Sequence, residues 1–195
     1  MPLPAAASAA RGHSLAPLFL PALFSPSECA RICAHAAAAG YAEAGLVRGA
    51  TDPGQRRARI AWPDEEGDAA WVFTRIMEAA AEANRTHFDF ALDQFAERMQ
   101  VAEYDAGDLG HFDWHMDLGA GQWAAKRKLT FVAQLSAPDA YEGGTLELND
   151  GNTVSLDRAI GSAVLFPSFM LHRVTPVTAG TRRSLTLWVH GPAFR

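Results

Sequence analysis

Residues 111–117 read HFDWHMD, and His115 and Asp117 in this stretch are spaced as a pair of metal ligands. In a β-strand, successive side chains point to opposite faces, so His-x-Asp places an imidazole and a carboxylate on the same face. Alone, such a pair is more often an ordinary surface pair. His172, in the stretch FPSFMLHRVTP at 166–176, is the candidate third ligand. Two histidines and one carboxylate with open positions suit non-heme Fe(II) in oxygenases.

The tail that follows His172 supports this interpretation. Residues 181–190 read TRRSLTLWVH and predict a strand with Arg182 and Ser184 on one face. Thr186, Trp188 and His190 share that face, and Leu185, Leu187 and Val189 form the other. Such a strand predicts a polar barrel interior and an apolar outer face packed on helices. Iron with three protein ligands leaves two positions for a 2-oxo acid and one for O2. The planar guanidinium of Arg182 suits the far carboxylate of that acid.

The last half of the chain resembles the Fe(II)/2-oxoglutarate dioxygenase superfamily, in its prolyl 4-hydroxylase-like, PKHD-type branch. The matching pieces keep the family's order from Gln100 to Arg195. They are YDAGD (104–108), HMD (115–117), RKLTFVAQLS (127–136), YEGGTLEL (141–148), GSAVLFPSFMLHRVTPVTAGTRRSLTLWV (161–189) and GPAFR (191–195). The resemblance implies a hydroxylase that uses Fe(II), 2-oxoglutarate and O2, with ascorbate as a candidate reductant.

The resemblance also implies roles for individual residues. Iron would be bound by His115, Asp117 and His172. Arg182 would bind the distal carboxylate of 2-oxoglutarate, with Ser184 in an Arg-x-Ser arrangement that some branches use for the same group. Tyr104 stands where the family often has a tyrosine near the cosubstrate.

Three further residues are assigned to the pocket. Gln134 stands where some prolyl hydroxylases have a second tyrosine, and this departure leaves open which polar group meets the cosubstrate. His111 has the same parity as His115 and is predicted to contact substrate. Trp188 lies on the Arg182 face and is predicted to wall the pocket.

Other readings of the same residues are kept open. A zinc site made from His111, His115 and Asp117 would leave the tail from His172 to Arg182 unexplained. Nucleic-acid repair enzymes of the AlkB kind carry a second arginine six residues after the first, where this chain has Trp188. A non-catalytic metal- or oxo-acid-binding module is the alternative from another class. The predicted substrate is a prolyl or other residue of a peptide or protein, and a free amino acid or small metabolite is the alternative.

Composition narrows the class of protein. The chain has 195 residues, 49% hydrophobic and 20% charged, which is typical of one soluble globular domain. We expect residues 1–14 to form a flexible tail and residues 15–195 to form that domain. A net charge of −5 gives no support to a nucleic-acid partner. No stretch approaches the roughly twenty apolar residues of a membrane span, and the N-terminal residue order differs from a signal peptide. Cys29 and Cys33 are predicted to be buried apolar residues. With only two cysteines, the chain is predicted to be a reduced, cytoplasmic protein.

The pattern of elements predicts the fold. Ser25 begins a capping box for a helix that ends near Ala39, and a second helix is predicted from Asp68 to about Asn84. A strand over Phe95–Tyr104 and further short strands follow, with a hairpin turn at Asn149–Asn152. These elements predict a mostly β, α+β fold: a double-stranded β-helix, or cupin-like jelly-roll barrel, with N-terminal helices packed on one sheet.

Overall fold

The structure, a computed structural model, describes residues 13–44 and 54–194. Residues 1–12 of the predicted tail lie outside these ranges. At residue 14 the chain already contacts the fold, because the backbone N–H of Ser14 donates a 2.7 Å hydrogen bond to the carbonyl of His87.

The described residues form two α-helices and thirteen strands. The helices are α1 (Pro26–Ala39) and α2 (Ala70–Ala83), and a π-helical turn at Asn84–Phe88 continues α2. The first seven strands are β1 (Leu18–Leu20), β2 (Ala42–Glu43), β3 (Arg56–Arg57), β4 (Arg59–Ala61), β5 (Gln100–Asp105), β6 (His111–His115) and β7 (Arg127–Gln134). The others are β8 (Tyr141–Gly143), β9 (Leu146–Asn149), β10 (Thr153–Ser155), β11 (Ala163–Pro167), β12 (Leu171–Val174) and β13 (Val177–His190). Single 3-10 turns lie at Ala106–Asp108 and Ala124–Lys126.

Two antiparallel sheets face each other. The larger has the order β1-β11-β7-β13-β5-β4-β2, with β8 also paired to β13, and the smaller has the order β10-β9-β12-β6-β3. Strand β13 is the longest, at 14 residues, and hydrogen-bonds to β5 on one side and to β7 on the other. The order is that of a jelly roll, as the sequence predicts.

Strand β13 divides its side chains between two layers. Leu185, Leu187 and Val189 are at most 2% exposed and pack in an outer core with residues of α1 and α2, among them Ile32 and Ile76. The predicted outward apolar face is therefore confirmed, and the helices cover one sheet. A second core between the sheets includes Val132, Leu146, Leu148, Phe166 and Val174.

The sequence predicts the start of the first helix correctly, but not the starts of the second helix and of β5. The predicted capping box is present: the Ser25 hydroxyl accepts from the backbone N–H of Glu28, whose carboxylate accepts from the N–H of Ser25 at 2.8 Å. The second helix begins at Ala70, not Asp68, and Ala69 supplies no side-chain cap. The predicted strand from Phe95 also begins later, at Gln100.

Residues before Gln100 bond outside the ladder, which explains the shorter strand. Gln94 forms an isolated bridge with His190, and the backbone N–H of Met99 donates to the carboxylate of Glu65. Of the helices in the described ranges, none combines the length and the hydrophobicity that crossing a membrane requires.

Truncating β13 at its apolar face should weaken the whole fold. Leu185 is 0% exposed, so Leu185→Ala should lower the free energy of unfolding by about 2–5 kcal/mol, through lost burial and a cavity. Chemical denaturation measures the change. Leu15→Ala, at a leucine that is 52% exposed, is the matched control and should change it by less than about 0.5 kcal/mol. Equal effects would contradict the central role of this layer.

Candidate metal centre and its cavity

Three of the predicted ligands converge at one end of the smaller sheet. His115 is the last residue of β6 and pairs directly with His172 of β12. Nε2 of His115 lies 3.7 Å from Oδ1 of Asp117, and Nε2 of His172 lies 3.4 Å from Oδ2. The candidate ligand atoms of all three residues lie within 4.8 Å of one another. One ion could therefore contact all three.

Asp117 reaches this position by a different route from the one predicted. Strand β6 ends at His115, so the His-x-Asp spacing does not lie within one strand. The chain bends after the strand, and the backbone N–H of Leu118 donates to the carbonyl of Ser168 at 2.8 Å. The bend, together with strand alternation up to His115, brings the carboxylate beside the imidazoles.

Backbone carbonyls orient both imidazoles. Nδ1 of His115 lies 2.7 Å from the carbonyl of Asp113, and Nδ1 of His172 lies 3.0 Å from the carbonyl of Met170. A carbonyl can only accept, so each Nδ1 carries a proton, and Nε2 is the nitrogen of each ring that can bind a metal. Metal-binding histidines are commonly oriented by a backbone carbonyl in this way.

The protonation states also suit a cation. Burial, followed by the neighbouring His172, lowers the pKa of His115 to about 4, so its imidazole is neutral near pH 7. Burial raises the pKa of Asp117, but His172, His115 and Arg127 outweigh it and hold that pKa below its ordinary value. The centre therefore offers neutral nitrogen and anionic oxygen, the donors that divalent transition metals bind.

Strand β7 of the larger sheet supplies two side chains that hold Asp117 in place. The hydroxyl of Thr130, on β7, donates to Oδ2 of Asp117 at 2.8 Å and lies 3.0 Å from the hydroxyl of Ser168. The guanidinium of Arg127 donates to the backbone carbonyl of Asp117 at 3.0 Å. These bonds fix both the backbone and the carboxylate of the candidate ligand.

Arg127 belongs to a buried network beside the centre. Its Nε donates to Glu97 at 2.6 Å, His190 contacts the same carboxylate at 2.9 Å, and its guanidinium lies 3.8 Å from the ring centre of Trp188. Burial raises the pKa of Glu97, but the hydrogen bonds from Arg127 and His190 lower it to about 2. Glu97 is thus ionised and offsets the charge of Arg127.

Arg182 is a buried cation without an acidic partner among the residues that the structure describes. It is 0% exposed, and one terminal nitrogen donates to Oε1 of Gln134 at 2.9 Å. The other lies 3.4 Å from the Ser184 hydroxyl, and its Nε has no hydrogen-bond partner there. Burial lowers the pKa of Arg182, and the Tyr104 ring centre lies 5.4 Å from Cζ. A desolvated guanidinium of this kind favours a bound anion.

One cavity of about 920 Å³ joins the metal-ligand cluster to Arg182. Seven of the predicted site residues line it: Tyr104, His115, Asp117, His172, Arg182, Ser184 and Trp188. Gln134 lies behind the wall, where its amide holds Arg182. The indole N–H of Trp188 is buried, and its interaction with Asp117 helps to lower the pKa of that carboxyl.

His111 does not line this cavity, in contrast to the prediction. Its ring nitrogens contact the carbonyls of Leu109, at 2.9 Å, and Gly54, at 3.2 Å. The cause is a register irregularity: His115 pairs with His172, but Phe112 pairs with Val174. Between these two pairs, β6 advances by three residues and β12 by only two. This bulge reverses the alternation of side chains, so Phe112 points into the cavity and His111 points away from it. The described metal-ligand cluster does not include His111, which removes the basis for the alternative zinc site.

Some residues of the site were missed by the sequence interpretation. Thr130 could have been found, because strand alternation places it on the same face of β7 as Gln134, which the resemblance assigns to the cosubstrate. Glu97 lies in an irregular segment before β5, and Arg127 is the first residue of β7, opposite a register shift in β13, so strand periodicity indicates neither of them. Arg57 and Arg59 line a separate depression, and Arg59 pairs with Glu103. The arginine of that region that does line the cavity is Arg56.

Comparisons with known proteins agree with this geometry. The family model described as the 2OG-Fe(II) oxygenase superfamily matches residues 99–190. A PKHD-type hydroxylase of Hyphomonas neptunium is 38% identical over 88 residues, which cover 43% of this chain and 39% of that protein. The match thus spans about two fifths of that relative's length. A PKHD-type hydroxylase of Xanthomonas axonopodis pv. citri is 27% identical over 177 residues, covering 87% of this chain and 76% of that protein.

A solved structure extends the likeness to most of the fold. A prolyl hydroxylase from Trichoplax adhaerens, in complex with a peptide fragment of the hypoxia inducible factor oxygen degradation domain, superposes with a TM-score of 0.77. The likeness covers 91% of this chain and 84% of that one, at 18% identity. At this identity the comparison shows the fold, and it confirms the predicted jelly roll.

Removing the Thr130 hydroxyl should loosen Asp117. Thr130→Val keeps the shape but removes the 2.8 Å bond, so the affinity for Fe(II) should fall by about 10- to 100-fold. Anaerobic metal titration measures it. Thr186→Val is the control, because Thr186 lines the same cavity but does not bond to Asp117. An unchanged affinity in Thr130→Val would show that this bond does not orient the ligand.

Glu97 should contribute to acid stability. Its lowered pKa means that its stabilising contribution, about 3 kcal/mol, is present above pH 4.5 and is lost as the pH falls towards 2. Glu97→Gln should therefore lower stability at pH 7 by about 1–3 kcal/mol and flatten the decline between pH 4.5 and 2. Urea unfolding across this pH range is the test, with the exposed Glu142→Gln as control. An unaltered acid limb in Glu97→Gln would refute the assignment.

Proposed function

We propose that the chain, whose residues 99–190 match the 2OG-Fe(II) oxygenase superfamily model, is an Fe(II)- and 2-oxoglutarate-dependent hydroxylase. The family agrees with the predicted cofactors Fe(II), 2-oxoglutarate and O2, whereas ascorbate and a cytoplasmic location stay predictions. In this proposal His115, Asp117 and His172 hold the iron, and Arg182 holds the far carboxylate of 2-oxoglutarate.

The observation that carries the proposal is the pairing of two sites in one cavity. The metal-ligand cluster supplies two imidazoles and one carboxylate, which leave positions on the ion open. Arg182 supplies a buried positive charge without an acidic partner in the described part of the chain. A ligand that spans both needs a chelating end and an anionic end, and 2-oxoglutarate has this chemistry.

The residues around the site have separable tasks. With iron, 2-oxoglutarate and O2 bound, the centre would supply oxidative decarboxylation to succinate and CO2, coupled to insertion of one oxygen atom into a substrate C–H bond. Gln134 and Ser184 contact the guanidinium of Arg182 and fix its direction. Thr130 and Arg127 fix Asp117. Trp188, stacked on Arg127, closes the wall against water.

The substrate we propose is a prolyl or other residue of a peptide or protein. Two supports are the names of the relatives and the peptide in the Trichoplax complex. The third is the entrance of the cavity, where Trp62 is 40% and Met116 54% exposed and can contact an apolar side chain. A free amino acid or small metabolite stays the alternative substrate class.

Titration of Fe(II) and 2-oxoglutarate without oxygen tests the function. The wild-type protein should develop the weak visible absorption band of the iron–2-oxoglutarate chelate. His115→Ala should abolish this band, since it removes one of three ligands. Arg182→Ala, or Arg182→Lys where the alanine variant fails to fold, should raise the 2-oxoglutarate concentration required by at least about 10-fold, with a much smaller effect on iron binding.

The matched control is Arg183→Gln, at the next residue of β13. Arg183 points to the other side of the sheet and pairs with Glu103, so the affinity for 2-oxoglutarate should be unchanged. Equal loss of iron and 2-oxoglutarate binding in the Arg182 variants would count against its role. Binding of both without any turnover of 2-oxoglutarate would favour the non-catalytic module.

A further inference from the structure

Arg56 is a second arginine of the cavity that has no acidic partner among the described residues. It lies on β3, the edge strand beside β6, and it lines the cavity that contains the metal-ligand cluster. Its Nε is buried and has no hydrogen-bond partner in the described ranges. Its guanidinium lies 4.5 Å from the ring centre of Phe112, so an aromatic face positions it.

Phe112 links this arginine to the candidate metal centre. Arg56 and Phe112 are direct neighbours across β3 and β6. The Phe112 ring stacks on the imidazole of His115, with 3.5 Å between centres and 13° between planes. Arg56, Phe112 and His115 therefore form a column that ends at the ligand cluster. Arg182 lies on β13 of the facing sheet, so the two arginines approach the cavity from different walls.

Among the described residues that line this cavity, no carboxylate pairs with Arg56. Arg56 also borders the separate depression, where it forms no ion pair with the described carboxylates of that lining, which are Glu43, Glu103, Asp105 and Asp108. The described lining of the cavity holds four arginines, at positions 56, 98, 127 and 182, and two carboxylates, Glu97 and Asp117. Glu97 pairs with Arg127. In the proposed function, the two positive charges of Fe(II) and the one of Arg182 are balanced by the negative charge of Asp117 and the two negative charges of 2-oxoglutarate. Arg98 is exposed and donates to the carbonyls of Trp62 and Pro63, at 2.9 and 3.3 Å.

We propose that Arg56 binds a carboxylate of the substrate and so sets the distance from that carboxylate to the carbon that is hydroxylated. The inference rests on the proposed function and narrows its substrate class to carboxylate-bearing molecules. A planar guanidinium can hold a carboxylate through two parallel hydrogen bonds from its terminal nitrogens. Phe112 lies between the guanidinium of Arg56 and the imidazole of His115. A substrate whose carboxylate is bound by Arg56 would therefore present the carbons next to that carboxylate to the metal.

The carboxylate could come from two sources, which matched probes separate. N-acetyl-L-proline and N-acetyl-L-prolinamide differ only in an α-carboxylate. Acetyl-Pro-Glu-amide and acetyl-Pro-Gln-amide differ only in a side-chain carboxylate. Dissociation constants are measured without oxygen, by calorimetry and by perturbation of the iron–2-oxoglutarate band, for the wild type, Arg56→Gln and Arg56→Lys.

Wild-type protein should bind the carboxylate member of one pair about 10- to 100-fold more tightly than its amide. Arg56→Gln should abolish that preference, and Arg56→Lys should keep part of it. Arg57→Gln is the control: it removes the same charge one residue away, from a side chain that lines the separate depression. It should keep the full preference, and the pair that responds identifies the source.

Three results would overturn the proposal. One is that neither pair shows a preference in the wild type. Another is that the preference survives in Arg56→Gln. The last is that Arg56→Gln weakens 2-oxoglutarate itself as much as Arg182→Lys does, because Arg56 would then serve the cosubstrate. Absence of the chelate band in the wild type would instead refute the proposed function, and the calorimetric comparison would still report on Arg56.

Discussion

The alternation of side chains along β13 is the constraint on which the rest of the structure depends. The same backbone hydrogen bonds that hold this strand between β5 and β7 present leucine and valine to the helices, and arginine, serine and tryptophan to the interior. Burial of the apolar face stabilises the sheet, and that stability keeps an uncompensated guanidinium in place. A shift of one residue in register would exchange the two faces, so packing and chemistry are fixed together.

Uncharged neighbours orient the charged and metal-binding groups of the cavity. Carbonyl groups fix the tautomers of two imidazoles, a threonine hydroxyl fixes a carboxylate, and an amide fixes an arginine. Each of these orienting groups is uncharged, so it directs its partner without neutralising it. The charges therefore stay available to ligands, in contrast to Glu97 and Arg127, which neutralise each other.

The sequence predicts the regular parts of this arrangement and misses the irregular ones. Strand alternation places Thr130 and Arg182 inside, and the spacing of HMD with His172 indicates the ligand cluster, although Asp117 lies beyond the end of its strand. Alternation fails at His111, because a bulge in β6 reverses the parity between Phe112 and His115. A bulge depends on pairing with β12, which is distant in the chain. The pairing of β3 with β6 is equally non-local and decides that Arg56, not Arg57, faces the cavity.

The solitary burial of Arg182 has a consequence for the lifetime of the protein. A buried cation that lacks a counter-ion makes the ligand-free fold less stable than its packing alone would allow. In the proposed function, the cosubstrate supplies the missing charge, and a ligand at 100 times its dissociation constant adds about 2.7 kcal/mol of stability. Bound 2-oxoglutarate would then stabilise the fold as a buried counter-ion does. The fraction of molecules open to proteolysis would fall as the concentration of 2-oxoglutarate rises, so that the abundance of the protein, and not only its turnover of substrate, would depend on this ligand.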